Sequence, residues 1–211
     1  MLALLHTSPV HVPVFDGLRD SEHPSLAVRH LVHEELLVRA VREGPEAVAG
    51  DVAAVLADAV AGGARAALCT CSTIGDVAEA CGPALGVPVL RVDRPMAAAA
   101  ARHRRIAVVA ALHSTLTPTA ALIRDEAAGR ETELRTVLVE GAWERFEAGD
   151  RDGYLAAVAA AVDDIGDADV IVLAQASMAA AAERTGSRVP VLSSPRPGLR
   201  AAAAAVHAAA S

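Results

Sequence analysis

The sequence predicts an α/β fold of two similar, small, doubly wound parallel-sheet lobes related by internal duplication. Three observations predict it. Over half of the residues are apolar, at 53%, yet aromatics supply only 2%, so the core has to be built from Ala, Val and Leu on closely packed helices and strands. Short apolar runs alternate with longer helical stretches, the pattern of a parallel sheet. The two halves of the chain also echo one another segment by segment.

Taken in order, Ala3-Leu4-Leu5-His6-Thr7-Ser8 closes an apolar run that reads as a buried strand, and Ala110-Ala111-Leu112-His113-Ser114-Thr115 closes another. Val32-His33-Glu34 precedes a helix and a turn, and Val52-Ala53-Ala54-Val55 opens the next helix. Leu138-Val139-Glu140 and Leu155-Ala156-Ala157-Val158 keep the same order. The strongest echo sets Ala66-Ala67-Leu68-Cys69-Thr70, a helix and Val87-Pro88-Val89-Leu90 against Val172-Leu173-Ala174-Gln175-Ala176, a helix and Val189-Pro190-Val191-Leu192. Arg94-Pro95 and Arg196-Pro197 follow at matching distances. Each half therefore reads as strand, helix, strand, helix, strand. The expected division is a first lobe of residues 1–97 plus 198–211 and a second of residues 98–197, with the alanine-rich stretch after Pro197 returning to the first lobe. Ligands of such sheets bind beyond the carboxyl ends of the strands, so the active site is expected in a cleft where the two sets of strand ends meet.

Composition removes several function classes. A formal charge of −7 gives no electrostatic footprint for a nucleic-acid backbone, and the basic run Arg102 to Arg105 is short. No apolar run is long enough for a membrane helix and no secretory leader is recognisable, so a soluble, cytoplasmic protein is expected. The three cysteines, Cys69, Cys71 and Cys81, are too closely grouped for a disulfide framework. All nineteen basic residues are arginine, which excludes a lysine Schiff base and a P-loop lysine. The eight histidines show no HExxH pattern, so no metal site is expected. No GxGxxG marks a dinucleotide site.

The duplicated halves, each with a chemistry-bearing position after a strand, resemble the aspartate/glutamate racemase superfamily over nearly the whole chain. That group includes amino-acid and hydantoin racemases, maleate isomerases and arylmalonate decarboxylases. The segment Leu68-Cys69-Thr70-Cys71-Ser72-Thr73 is similar to its first-half cysteine motif, closest to the maleate isomerase form. The resemblance implies a cofactor-independent isomerase-type enzyme acting at the carbon next to the carboxylate of a small acid, with Cys69 as catalytic thiol, and it suggests a homo-oligomer. The second-half cysteine is replaced, the expected position falling at Gln175, and a glutamine cannot be a general base.

Physical chemistry supports Cys69 independently, because helix N-terminal amides at a strand-to-helix junction favour a thiolate. The competing reading is a small buried hydrophobe. Cys71 and Cys81 read as structural, Cys71 standing close enough to Cys69 to be taken for the nucleophile. Thr7, Ser8, Thr70, Ser72, Thr73, Ser114, Thr115, Gln175 and Ser177 are the candidate substrate-binding residues, with helix capping as the alternative for Ser8, Ser72 and Ser177. Glu34 is a candidate acid, base or orienting group, with a solvated helix start as its alternative. Arg94, Arg196 and Arg65 are the arginines that could meet a second carboxylate. A lone thiol fits chemistry on one face, such as decarboxylation of a malonate-type acid; the reading from another class is a small-dicarboxylate-binding protein without catalysis.

Overall fold

The computed structural model describes residues 1–209, so the last two residues of the expected 198–211 segment lie outside the described residues. The chain runs β1 (Leu2–His6), a 3-10 turn (Pro9–His11), α1 (Val12–Glu22), β2 (Val28–Val32), α2 (Glu34–Glu43), α3 (Ala49–Ala61), β3 (Ala66–Cys69), α4 (Gly75–Glu79), α5 (Gly82–Leu85) and β4 (Val89–Arg91). It continues through α6 (Arg94–Ala100), β5 (Arg105–Ala110), α7 (His113–Ala127), β6 (Glu133–Leu138), α8 (Ala142–Glu147), α9 (Arg151–Asp163), β7 (Val170–Leu173), a 3-10 segment (Ala176–Glu183), β8 (Val191–Ser193) and α10 (Pro195–Ala208). Two compact units result, one of Met1–Val92 with the chain from Pro195 onward, the other of Asp93–Ser194.

Each unit has a four-stranded, all-parallel sheet, in the order β2-β1-β3-β4 and β6-β5-β7-β8. The central strands are uninterrupted apolar runs because both of their faces are covered. In the first unit Ala3, Leu5, Ala67 and Cys69 face a core shared with α2, α3 and α4, whereas Leu2, Leu4 and Leu68 face Phe15 of α1 and Leu199, Ala202 and Ala203 of α10. In the second unit Ile106, Val108 and Val172 pack with α6 and α7, and Ala107, Val109, Ile171 and Leu173 pack with α9. The helix after β4 thus belongs to the second unit and the helix after β8 to the first. α10 approaches the end of β4 so closely that a Cβ on Gly198 would lie 2.5 Å from the Val92 carbonyl oxygen, which restricts that position to glycine.

Two elements differ from the sequence expectation of three strands per half. β2 and β6 are additional edge strands, and their half-exposed sequences, VRHLV and ELRTVL, carry the arginine, histidine, glutamate and threonine that an edge tolerates and a buried strand does not. The boundaries of the repeat also move. Leu5 pairs with Cys69 in β3, and Val109 pairs with Leu173 in β7. The counterpart of Cys69 is therefore Leu173, and Gln175 corresponds to Cys71, two residues farther along. In the same register Thr7 and Ser8 correspond to Ala111 and Leu112. His113, Ser114 and Thr115 lie in the first turn of α7, beyond the end of β5.

Candidate active site

At the carboxyl end of β3 the side chains alternate between the two faces of the sheet. Cys69 is fully buried in the apolar core under α2 and α3, and its Sγ–H donates to the Cys71 carbonyl at 3.5 Å. Its counterpart in the second unit is a core leucine. Thr70 points to the opposite face. Cys71 lies past the strand, partly exposed, in the loop that leads through Ser72 and Thr73 into α4, and both of those hydroxyl residues are buried. Cys81 is partly buried just past the far end of α4, donates to the Val77 carbonyl, and burial pushes its thiol up from the ordinary value. The residue expected to be the reactive thiol thus has no exposed surface, and of the two partly exposed thiols Cys71 stands two positions on, at the strand-to-helix junction.

The second unit displays what the junction amides do. There the Gln175 carboxamide oxygen accepts from the Ala111 N–H at 2.6 Å and the Leu112 N–H at 3.1 Å. In this unit two backbone donors after the first strand converge on a side chain that follows the third strand. Gln175 is therefore tied to its own backbone, and Ser177 is likewise engaged, its hydroxyl 2.8 Å from that of Tyr154. The Tyr154 phenol is buried and pushed up to about 12 by that burial, the serine contact partly opposing it. Thr115 is buried in the first turn of α7, and the Ser114 hydroxyl is buried beside it. Thr7 is buried and Ser8 partly exposed at the end of β1. Glu34 is an exposed helix-start residue, while its neighbour Glu35 accepts from His33 at 2.8 Å, which lowers the Glu35 carboxyl.

Two of the three arginines singled out from sequence are held in ion pairs. Arg94 pairs with Asp125 and Glu126, Arg196 with Glu22, and Arg65 is exposed before β3. A different arginine stands at the strand end. Arg91, the register partner of Cys69, is 1% exposed, pairs with Asp76 at the start of α4, and packs so tightly that a Cβ on Gly75 would lie 3.0 Å from its Nε.

Residues 13–209 match the family model described as Asp/Glu/hydantoin racemase. The chain belongs to that family. Among solved structures it is similar to glutamate racemase from Thermus thermophilus, with a TM-score of 0.77 at 18% identity over 98% of this chain and 80% of that one. It is similar to aspartate racemase from Picrophilus torridus, with a TM-score of 0.68 at 14% identity over 99% and 94%. Arylmalonate decarboxylase gives 0.61 at 19% identity over 98% and 92%. No curated protein matches the chain. At these identities the structural likenesses establish the fold.

Within this racemase-family chain, sequence reasoning missed a buried row of histidines. His6 Nδ1 lies 2.8 Å from Thr70 Oγ1, His6 Nε2 lies 2.8 Å from His30 Nδ1, and His30 Nε2 lies 3.3 Å from Asp16 Oδ1. The row crosses three adjacent strands on the α1 side, with the His6 ring 5.5 Å from that of Phe15 and 6.2 Å from that of His11. Burial pushes His6 down to about 3, with His11 and His30 nearby adding to the effect, and pushes His11 down to about 4. Strand alternation was the one signal in the sequence, putting His6 on the face of Leu2 and Leu4; the parallel pairing of Leu4 with His30, seen in the structure, brings the second imidazole to that face as a diagonal neighbour. Among the described residues no three His, Cys, Asp or Glu side chains are grouped as a metal site, and no helix is long and apolar enough to cross a membrane.

Proposed function

We propose that this racemase-family chain is a cofactor-independent enzyme acting at the carbon next to the carboxylate of a small acid, with one working thiol, Cys71. One observation carries the reading: the position that holds Cys71 in the first unit holds Gln175 in the second, where its carboxamide oxygen fills the pair of backbone N–H groups. Cys71 combines partial exposure with a place at the strand-to-helix junction, whereas Cys69 is sealed in the core. In the first unit the amides of Thr7 and Ser8 take the register place of that donor pair, and they would receive a carboxylate or the enolate oxygen that develops from it.

With one thiol, protons move on one face of the carbon. For a malonate-type acid the C–C bond to a carboxylate breaks, CO2 leaves with its carbon, and the electron pair stays as an enolate on the remaining acid. The Cys71 S–H then protonates the carbon, and the thiolate recovers its proton from solvent. Isomerisation would use the same thiolate to remove a proton from one carbon and return it to an adjacent one, the double bond shifting between them.

Proton NMR in D2O across aspartate, glutamate, hydantoins and substituted malonates tests the proposal. One-faced deuterium incorporation or CO2 loss that disappears in Cys71→Ala supports it. Inversion at the carbon would require a second base and overturn the single-thiol reading, and tight binding without exchange would favour a dicarboxylate-binding protein.

A further inference from the structure

The Asp16–His30–His6–Thr70 row has an internal logic that its distances fix. Thr70 carries one hydroxyl hydrogen and has two acceptors within reach, His6 Nδ1 at 2.8 Å and the Leu5 carbonyl at 3.1 Å. If His30 is neutral, its Nε2–H donates to Asp16, its bare Nδ1 accepts from His6 Nε2–H, and His6 Nδ1 accepts from the Thr70 hydroxyl. If His30 carries a second proton, its Nδ1–H donates to His6 Nε2. The His6 hydrogen must then sit on Nδ1 and donate to Thr70, whose own hydrogen turns to the Leu5 carbonyl. The two arrangements differ by one proton, held on His30, while His6 and Thr70 keep the same number of hydrogens in both.

We propose that Asp16, His30 and His6 form a tautomer relay ending on Thr70, with His6 a positioning residue for the strand end that carries Cys71. The link to Cys71 rests on the functional reading above; the relay itself does not. His6 suits the role because it is fully buried with both ring nitrogens engaged. Its depressed proton affinity keeps it neutral, so it passes on a change of tautomer rather than of charge. The proton enters at the rim, where the side chains of His30 and Asp16 are 18% and 38% exposed. The Thr70 hydroxyl is the inner end: it joins β3 to β1, since its oxygen contacts His6 and the Leu5 carbonyl also accepts the Thr70 N–H at 2.9 Å. A change of partner there is felt by the peptide leading to Cys71.

The charged and titratable groups around the row are few. The 3-10 turn contributes His11, and α1 contributes Asp16 and Arg19, whose guanidinium lies 3.1 Å from Asp16 and also pairs with Asp20. Arg196 and Arg200 of α10 are taken by Glu22, and Arg29 of β2 reaches toward Gly62 at the end of α3. The second unit has no such row: the register places of His6, His30 and Thr70 are held by Ala110, Thr136 and Ala174.

Nitrogen-15 NMR of the full chain labelled at histidine reads the relay directly. The expected result is a His6 ring that carries its hydrogen on Nε2 when His30 is neutral and on Nδ1 when His30 holds its second proton, the two rings changing together. His30→Gln holds His6 in one tautomer at every pH. The Cys71 alkylation rate, followed by mass spectrometry and divided by that of a free thiol at the same pH, should change about fivefold as the His6 tautomer changes. That step is lost in Thr70→Val and restored in Thr70→Ser. A His6 tautomer that stays fixed while His30 titrates, or a His6 ring that itself becomes cationic in that range, overturns the relay. A relay with no step at Cys71 overturns the positioning role. Dispensability of Cys71 for turnover would instead sink the functional reading and leave the tautomer result standing.

Discussion

The two units have the same strand order and the same parallel register, yet they treat the end of the third strand in opposite ways. In the second unit Gln175 returns its carboxamide oxygen to the Ala111 and Leu112 amides, and apolar or small residues fill the places around it. In the first unit the equivalent place is a partly exposed thiol, and the neighbouring strand ends carry imidazoles and a hydroxyl in a hydrogen-bonded row. In the second unit the pair of backbone amides after β5 is consumed by one side chain, Gln175. In the first unit Cys71 stands at the register place of that glutamine, and the proposed function has the Thr7 and Ser8 amides left to a ligand there.

The sharpest way to break this comparison is to remove the thiols one at a time. Cys71→Ala should cost about 10²–10⁴-fold in turnover, the range for loss of a proton-transfer group, with an unchanged melting temperature. Cys69→Ala should do the reverse, keeping activity within a few-fold while losing about 1 kcal/mol from a core that no longer fits. Steady-state kinetics with thermal denaturation of both variants decides it, and full activity in Cys71→Ala returns the assignment to Cys69.

The units should also separate by pH. His6 and His11 have ordinary values of 6.5 and folded values of about 3 and about 4, so the unfolded chain binds protons that the folded first unit refuses. Stability contributed by keeping them neutral is fully present above pH 6.5 and is lost as pH falls from there toward 4. The slope approaches about 1.4 kcal/mol per pH unit for each histidine. Amide exchange at pH 7 and pH 5 should show protection falling in β1, β2 and α1 while β5 and β7 hold. Equal losses in both units would mean that the histidine cluster is hydrated.

How much of this is legible in the sequence depends on which residue is asked about. The buried central strands and the matched Val-Pro-Val-Leu segments are legible because parallel strands covered on both faces must be apolar. The edge strands β2 and β6 are not, since half-exposed positions accept polar residues and leave no apolar run. The cysteine-bearing junction after β3 is legible, but which of its residues lie in the strand is not. Apolar character alone does not say whether β3 ends at Cys69 or before it, and pairing Cys69 with Gln175 shifts the repeat by the distance that separates a core position from a loop position. The histidine row is hidden because it depends on parallel pairing between β1 and β2, which places His30 beside His6 across 24 residues of sequence.

Gln175 offers a more graded test of the amide pair. Gln175→Ala would strand the Ala111 and Leu112 N–H groups in a partly buried junction, at about 1–3 kcal/mol in urea denaturation. Gln175→Glu keeps an acceptor there and should recover most of the loss at neutral pH. If the alanine variant is as stable as the parent, the two amides are satisfied by other means, and the inference that the Thr7 and Ser8 amides can hold an anion weakens with it.

The smallest effect concerns Ser177, a ligand candidate only by virtue of its hydroxyl and its place after β7. Its hydroxyl is 2.8 Å from that of Tyr154, a fully buried ring on α9 whose centroid lies 5.3 Å from that of Phe146. A phenol that cannot reach water needs a partner, and the serine is that partner. Ser177→Ala should therefore cost about 1 kcal/mol, the net worth of one hydrogen bond, and change turnover by less than twofold. Tyr154→Phe in the same background should add almost nothing, because a pair removed from both sides leaves no orphaned group. A double-mutant cycle in chemical denaturation measures this coupling, and a fall in turnover with stability unchanged would instead make Ser177 a ligand-binding residue and give the second unit a share in the chemistry.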